Sequence, residues 1–186
     1  TKAVYSGTAH RFILKGILPE DVVKYAGEDG VYGMEQPELV NAGIYQVQYL
    51  VERQGCQPFR GTVQMEITKA VPLFTVPSGL KGESGKTLAS IKLPEGFVWQ
   101  TSSAVKLLAE GIHTWRVTYV PEDTGNYQTV QGIEVKVAVK CPGHQYQSRV
   151  TRPATETRNG LKTYTCSLCG TIRTEEIPKS GSGKPG

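Results

Sequence analysis

Four residues in the C-terminal part of the chain have the types and the spacing of metal ligands. Cys141 and His144 form one pair with two residues between them, and Cys166 and Cys169 form a second pair about 21 residues later. In each pair, the two side chains can converge on one point, and together the pairs supply the four ligands of tetrahedral zinc. The spacing therefore predicts a structural zinc site. A catalytic zinc is disfavoured, because four protein ligands leave no open position for water.

Two other uses of the same cysteines stay open. Secreted proteins favour disulfides, so Cys141 bridging to Cys166 or Cys169 is the main alternative, and it leaves His144 as an ordinary solvated side chain. A redox pair is less favoured, because no βαβ pattern or helix N-terminus is present to lower a thiol pKa. A segment of about 40 residues needs a bound metal or a disulfide to stabilise it, since its hydrophobic core is small. The candidates for that small core are Tyr146, Val150, Tyr164 and Ile172.

Other combinations of reactive side chains are weak. His10 and His113 accompany no Ser or Cys nucleophile motif. The segment 82–86 does not follow the pattern of a phosphate-binding loop. Cys56 is left over in a polar loop, as a free thiol or as a cross-link to another chain. We therefore expect a protein that is not an enzyme.

The elements that must position the zinc ligands read as β-strands. In the segment 111–119, Trp115, Val117 and Tyr119 alternate with polar residues, which is typical of a strand with one buried face. A degraded copy begins at Gly43, about 70 residues earlier, and each copy is followed by a second alternating strand, at 62–68 and 133–139. Many short strands separated by turn residues predict two all-β sandwiches.

Shorter segments carry weaker signals. Apolar residues predict short strands at 12–14 and 88–93, whereas the segment 18–25 could make one helical turn, which Gly27 and Gly30 would end. The bulky segment 97–99 is expected to plug the core of the second sandwich. Asp123 is expected to cap its own turn by accepting backbone N–H bonds.

These patterns divide the chain into four parts. Residues 1–69 and 70–140 are predicted to be two immunoglobulin-like β-sandwich modules in tandem. Residues 141–178 form a small zinc-ribbon-like or disulfide-stapled module, and 179–186, rich in Gly, Ser and Lys, read as a flexible tail or linker. The predicted fold class is all-β.

Composition excludes several functional classes. The net charge is +4, and the Lys and Arg residues are scattered rather than arranged in a basic stripe with stacking aromatics, so no nucleic-acid partner is expected. No apolar run approaches the roughly 20 residues that span a bilayer. The chain begins with Thr1, and we interpret it as a processed or cloned fragment.

Three motifs in the second module resemble an immunoglobulin-like repeat of Gram-positive bacterial surface proteins. They are a P-x-x-L-x-x-x-x-G-x-T-L opening at 77–88, L-P-x-G-x-x-W at 93–99 and Y-x-P-x-D-x-x-N-Y at 119–127. Residues 3–69 are similar to the related β-rich repeat that often precedes it. The resemblance implies stalk or adhesion modules and no enzymatic activity.

The cysteine segment resembles a small repeat of surface proteins from gut Firmicutes. The matching motifs are G-H-x-Y at 143–146, V-T-x-x-A-T at 150–155, G-x-K-x-Y-T-C-x-x-C-G at 160–170 and E-x-I-P at 175–178. The Cys that the repeat has after Thr155 is Glu156 here, whereas Cys141 is additional. We infer that Cys141 replaces the missing ligand, with Glu156 as the alternative oxygen ligand.

The expected function is a non-catalytic spacer or adhesion region of a secreted or cell-surface bacterial protein. The alternative is a module that recognises a host or cell-surface glycan or protein through the aromatic side chains of Tyr25, Tyr32 and Tyr146. A third interpretation makes the Cys/His segment a zinc-dependent protein-recognition module.

Overall fold

The computed structural model describes residues 1–27 and 29–181, so most of the predicted tail at 179–186 lies outside the described residues. Within these ranges the chain forms twelve β-strands in three sheets, one 3-10 turn and no α-helix. The all-β prediction is confirmed. The sandwich form of the two larger modules stays a prediction.

The contacts of the chain divide it into two compact units. The first unit contains Thr1–Phe74 and Val120–Val130, and the second contains Thr75–Tyr119 and the chain from Gln131 onward. Each unit therefore consists of two stretches of sequence.

The first unit carries a five-stranded sheet of order β1-β5-β4-β2-β3. Its long central strands, β4 and β5, are antiparallel and pair from Gly43 opposite Ile67 to Val51 opposite Phe59, while β1 runs parallel to β5. The strands are β1 (Lys2–Val4), β2 (Val22–Ala26), β3 (Tyr32–Gly33), β4 (Gly43–Glu52) and β5 (Phe59–Thr68).

The core of the first unit lies on one face of this sheet. Val47, Met65 and Ile67 are buried there, as their alternation with polar neighbours predicts. Phe12 is 4% exposed and Leu39 is 7% exposed, and both pack on that face from irregular segments. The predicted strand at 12–14 is therefore wrong, although its aromatic residue is a core residue.

The segment 22–25 is also a strand rather than a helical turn. Val22 pairs with Glu52 and Tyr25 pairs with Tyr49, so β2 adds to the edge of β4. Pairing with a distant strand decides the structure of this segment, since its local sequence permits either form.

The second unit contains a four-stranded sheet of order β6-β9-β8-β7. β6 is parallel to β9, with Leu80 opposite Val137, and β7 is antiparallel to β8, with Phe97 opposite Tyr119. The strands are β6 (Leu80–Glu83), β7 (Phe97–Trp99), β8 (Gly111–Tyr119) and β9 (Val130–Lys140).

Two irregular segments, one containing Leu88 and the other containing Leu107, cover the core face of this sheet. The predicted strand at 88–93 is instead a 3-10 turn, Leu88–Ser90, which buries Leu88 completely. Leu88, Leu107 and Val137 form the centre of the core, and Trp99 and Trp115 pack against it while half-buried. Both tryptophans therefore pack against the core, as the sequence predicts.

The third sheet, also in the second unit, consists of three antiparallel strands with β11 in the middle. Val150 is 54% exposed and Ile172 is 63% exposed, so these two do not form the predicted small core. Tyr146 and Tyr164 do meet, edge to face at 6.5 Å between ring centroids. The strands are β10 (Tyr146–Arg152), β11 (Gly160–Cys166) and β12 (Ile172–Ile177).

No helix within the described ranges has the length and apolarity that crossing a bilayer requires.

Candidate metal centre

The four predicted ligands lie where β9 connects to β10 and where β11 connects to β12. Cys141 follows the last residue of β9, and His144 lies two residues before β10. Cys166 is the last residue of β11, and Cys169 lies in the turn that leads to β12. Each ligand pair therefore sits in a short connection whose two ends are held by strands.

The structure brings all four side chains to one point. One potential ligand atom from each residue lies within 4.8 Å of the other three. The Sγ atoms of Cys141 and Cys166 are 4.0 Å apart, and Cys169 Sγ is 3.4 Å from His144 Nδ1. These four residues form a site that can hold a metal ion.

The separations Cys141 Sγ–Cys166 Sγ and Cys169 Sγ–His144 Nδ1 fit ligands of a tetrahedral ion. Zinc–sulfur bonds of about 2.3 Å and a zinc–nitrogen bond of about 2.0 Å place neighbouring ligand atoms roughly 3.5–3.8 Å apart. The observed 4.0 Å and 3.4 Å lie on either side of that range. A disulfide needs sulfur atoms at about 2.05 Å, half the distance found between Cys141 and Cys166. Small side-chain movements would bring all four ligand atoms to bonding distance from one ion.

Backbone hydrogen bonds fix the turn that holds Cys166 and Cys169. The N–H of Gly170 donates to the Cys166 carbonyl at 2.9 Å, and the N–H of Ser167 donates to the Gln145 carbonyl at 2.9 Å. The second bond joins this turn to the segment that precedes β10. Both sulfur atoms are shielded, since Cys166 is 2% exposed and Cys169 is 5% exposed.

The surroundings of the two buried sulfurs favour their thiolate forms. Burial would raise the pKa of the Cys166 thiol, but N–H bonds from Cys169 and Leu168, together with His144, lower that pKa to about 5. The hydroxyl of Thr171, whose oxygen lies 3.1 Å from Cys169 Sγ, lowers the pKa of the Cys169 thiol. Thiolates are the form in which cysteine binds metals.

Cys141 and His144 hold their protons more tightly. Burial raises the pKa of the Cys141 thiol to about 11, and the neighbouring sulfurs of Cys169 and Cys166 add to the shift. The same two sulfurs raise the pKa of the His144 imidazole. In the absence of an ion, the cluster therefore retains protons that a bound cation displaces, because metal ligands must be deprotonated.

The remaining candidates stand apart from this cluster. Cys141, and not Glu156, is the residue that joins the other three ligands. Cys56 is exposed. The ring of His10 lies 3.1 Å from the Ser6 hydroxyl, and His113 contacts the backbone carbonyl of Ala109 at 2.9 Å.

The aromatic residues expected to recognise a partner are half-buried and have neighbours. Tyr25 packs edge to face on Phe12. The guanidinium of Arg60 lies over the ring of Tyr32, and that of Arg173 lies over Tyr146, at 5.1 and 4.7 Å from the ring centroids. Each ring therefore already packs against another side chain of the chain.

Two residues near the centre have no signal in the sequence. Glu110 precedes β8, and its carboxylate accepts a hydrogen bond from the N–H of Cys141 at 2.8 Å. Arg173 lies between the rings of Tyr146 and Tyr164, at 4.7 and 4.5 Å from their centroids. No motif in the sequence links either residue to the ligands, so only the folded structure reveals them.

No protein-family model matches the chain, and no curated protein matches it significantly.

Proposed function

We propose that Cys141, His144, Cys166 and Cys169 bind one structural zinc ion. The observation that supports this proposal is the convergence of three sulfurs and one imidazole within 4.8 Å. Thiolate and imidazole ligands in tetrahedral arrangement are the donor set that suits zinc. Four protein ligands complete its coordination, and the ion therefore stabilises the fold instead of activating water.

The chain as a whole then acts as a non-catalytic spacer or adhesion region of a secreted or cell-surface bacterial protein. A chain of several β-sheets suits a region that presents another domain. The zinc ion replaces the hydrophobic core that the third sheet lacks, since most residues of its outer strands β10 and β12 are exposed.

The experiment is elemental analysis of the purified chain with a count of reactive thiols under denaturing conditions. We expect about one zinc per chain and four reactive thiols after chelation. Cys166→Ser should lose the zinc, because a hydroxyl is a poor zinc ligand. The matched control is Cys56→Ser, which removes the exposed thiol and should retain the zinc.

Two reactive thiols and no zinc would show that a disulfide staples this segment. Hydrolytic activity of the purified chain would contradict the spacer function. Partner binding that chelation abolishes would favour the protein-recognition interpretation of the Cys/His segment.

A groove in the second unit favours glycan recognition as a second candidate. It has a volume of about 620 Å³ and runs beside the edge strand β7, where Phe97 and Trp99 adjoin polar side chains. Sugars bind by stacking on such rings while their hydroxyls bond to neighbouring polar groups. A glycan array tests this candidate, with Gln100→Ala as the variant, because Gln100 lines the groove with an exposed side chain. Selective binding that the variant loses would support it, and signal at background would leave the spacer function.

A further inference from the structure

The candidate metal centre contacts the second sheet at more than one point. Cys141 is the residue after β9, so one ligand continues directly from that sheet. Leu168, between the two ligands of the second pair, packs on Gly85 in the turn after β6. A Cβ added to Gly85 would lie 3.1 Å from Leu168 Cδ2. Glu110, just before β8, supplies the third point.

The carboxylate of Glu110 faces both ligands of the first pair. Oε1 accepts the backbone N–H of Cys141 at 2.8 Å. Oε2 lies 4.0 Å from Nε2 of His144. This second distance exceeds a hydrogen bond, but a bridging water or a small side-chain rotation closes it.

The two ring nitrogens of His144 face different partners. Nδ1 lies 3.4 Å from Cys169 Sγ and points into the cluster, whereas Nε2 points out towards Glu110. A histidine that binds a metal through one nitrogen almost always donates the N–H of the other to a carboxylate, a carbonyl or water. Such a bond fixes both the tautomer and the orientation of the ring.

We propose that Glu110 is a positioning residue of the metal centre, which makes Nδ1 the ligating nitrogen of His144. The proposal rests on the zinc site of the proposed function and extends it. Because Glu110 directly precedes β8 and Cys141 directly follows β9, the ion holds the third sheet and the second sheet together. The metal centre is thus a joint between two sheets of the second unit, and the residues 141–178 do not hold the ion alone.

The test compares the full chain with Glu110→Ala, Glu110→Gln and the control Glu95→Ala. Glu95 is an exposed acid of the same unit, in the connection between the 3-10 turn and β7. Zinc affinity is measured by competition with a chromophoric chelator. We expect Glu110→Ala to bind zinc 10–100-fold more weakly, as is typical when an outer-shell partner of a ligand is removed. Glu95→Ala should stay within about twofold of the wild type, and Glu110→Gln should lie between the two, because its amide oxygen still accepts the Cys141 N–H.

A second measurement does not depend on the variants folding. Histidine-ring nitrogen shifts of the zinc-loaded wild type, recorded by NMR, report which nitrogen binds the ion. We expect a metal-bound Nδ1 and a protonated Nε2 for His144.

The outcomes separate this proposal from the one on which it rests. A wild type that takes up no zinc overturns both. A wild type that binds one zinc through Nε2 of His144 keeps the zinc site and removes the role of Glu110. Equal zinc affinities for Glu110→Ala and Glu95→Ala would likewise keep the zinc site and remove the role of Glu110.

Discussion

Asp21 and Arg53 form a two-pronged ion pair in the first unit. Asp21 Oδ1 lies 2.6 Å from Arg53 Nε, and Oδ2 lies 2.8 Å from Nη2 and accepts the N–H of Leu18 at 2.8 Å. The Asp21 side chain is fully shielded, whereas that of Arg53 is 38% exposed. The hydrogen bond from Arg53, with that from Leu18, lowers the pKa of the Asp21 carboxyl to about 2. Such geometry makes this pair stronger than an ordinary surface contact.

This pair predicts a pH-dependent contribution to the stability of the first unit. An unfolded Asp has a pKa of about 3.9. Because the pKa is lower in the folded chain, the contribution is fully present above about pH 4 and is lost as the pH falls towards about 2. Asp21→Asn lacks the contribution at every pH. The difference in unfolding free energy between wild type and variant should therefore shrink between pH 4 and pH 2.

Urea unfolding followed by NMR signals of β4 and β5 measures this difference. Glu38→Gln removes an exposed acid of the same unit and serves as the control. A difference between wild type and Asp21→Asn that stays constant down to pH 2 would contradict the prediction.

At the residue scale, the sequence predicts the ligands well and their surroundings poorly. The two pairs were predictable because residues three apart in a turn converge whatever the fold around them. Glu110 could not be predicted, because the fold alone brings it to Cys141, 31 residues later. The exclusion of Glu156 from the cluster is also a property of the fold.

The turn after β8 is an element with partners in the first unit. Asp123 caps it as predicted, since its Oδ1 accepts the N–H of Asn126 at 3.1 Å. Asn126 in turn accepts the N–H of Ala42 with its Oδ1 at 2.7 Å and donates to Asn41 Oδ1 at 3.2 Å. The motif residue Asn126 thus organises a second loop besides its own.

Asn126→Ala should destabilise the first unit by about 1–3 kcal/mol, because the half-buried N–H of Ala42 loses its acceptor. Thr124→Ala is the control. Its side chain is exposed, and the carbonyl that accepts a bond from Lys69 remains. Chemical unfolding of the two variants, followed by NMR signals of β4, gives the comparison, and equal stabilities would contradict this role of Asn126.

Gly160, at the start of β11, allows the backbone of residues 152–154 to approach closely. A Cβ at Gly160 would lie 2.6 Å from Ala154 N and 2.8 Å from the Arg152 carbonyl oxygen. Both atoms belong to the backbone and cannot rotate away. The approach accompanies the irregular register between Val150 and Arg152 in β10.

Gly160→Ala should cost about 1–3 kcal/mol, because the backbone beside β11 must shift to admit the methyl group. Gly143→Ala is the control, since a Cβ there meets nothing within 4 Å. Hydrogen exchange of the β11 amides, with zinc held constant, reports the loss of pairing. Unchanged protection in Gly160→Ala would refute the prediction.

At the element scale, alternation predicts the strands that bury one face, and it misses segments whose partners are distant. β4, β5, β8 and β9 lie where the alternation of apolar and polar residues places them. Leu88 and Ile91 are three residues apart, a spacing that also fits one face of a 3-10 turn, in which residues i and i+3 align. Their local sequence does not separate the two forms.

Because the chain divides into two units, we predict that removal of the metal lowers the stability of only one of them. The four candidate ligands all belong to the second unit, as do both tryptophans, Trp99 and Trp115. Since zinc stabilises the state that binds it, a chelator should lower the unfolding temperature seen by tryptophan fluorescence. NMR signals of β4 and β5, in the first unit, should keep their unfolding temperature.

Addition of excess zinc after chelation provides the control and should restore the fluorescence transition. Equal shifts for both sets of signals would contradict the assignment of the metal to one unit.

At the scale of the whole molecule, the sequence predicts the fold class but not how the chain is shared between the units. Alternation and turn residues are local properties, and they suffice for an all-β chain. The inclusion of Val120–Val130 in the first unit depends on contacts such as those of Asn126, which join residues more than 80 positions apart. Motif spacing carries no information on such contacts.

That shared arrangement imposes an order on biosynthesis. A ribosome releases the chain from its N-terminus at about 5–20 residues per second. The strands β1 to β5 therefore emerge seconds before Val120–Val130, and all of Thr75–Tyr119 is made in between. During that interval the backbone N–H of Ala42 lacks its acceptor, the Asn126 side chain, and the nascent first unit has only the contacts made within residues 1–74. The first unit begins to fold first, but the ribosome must have started the second before the first is complete.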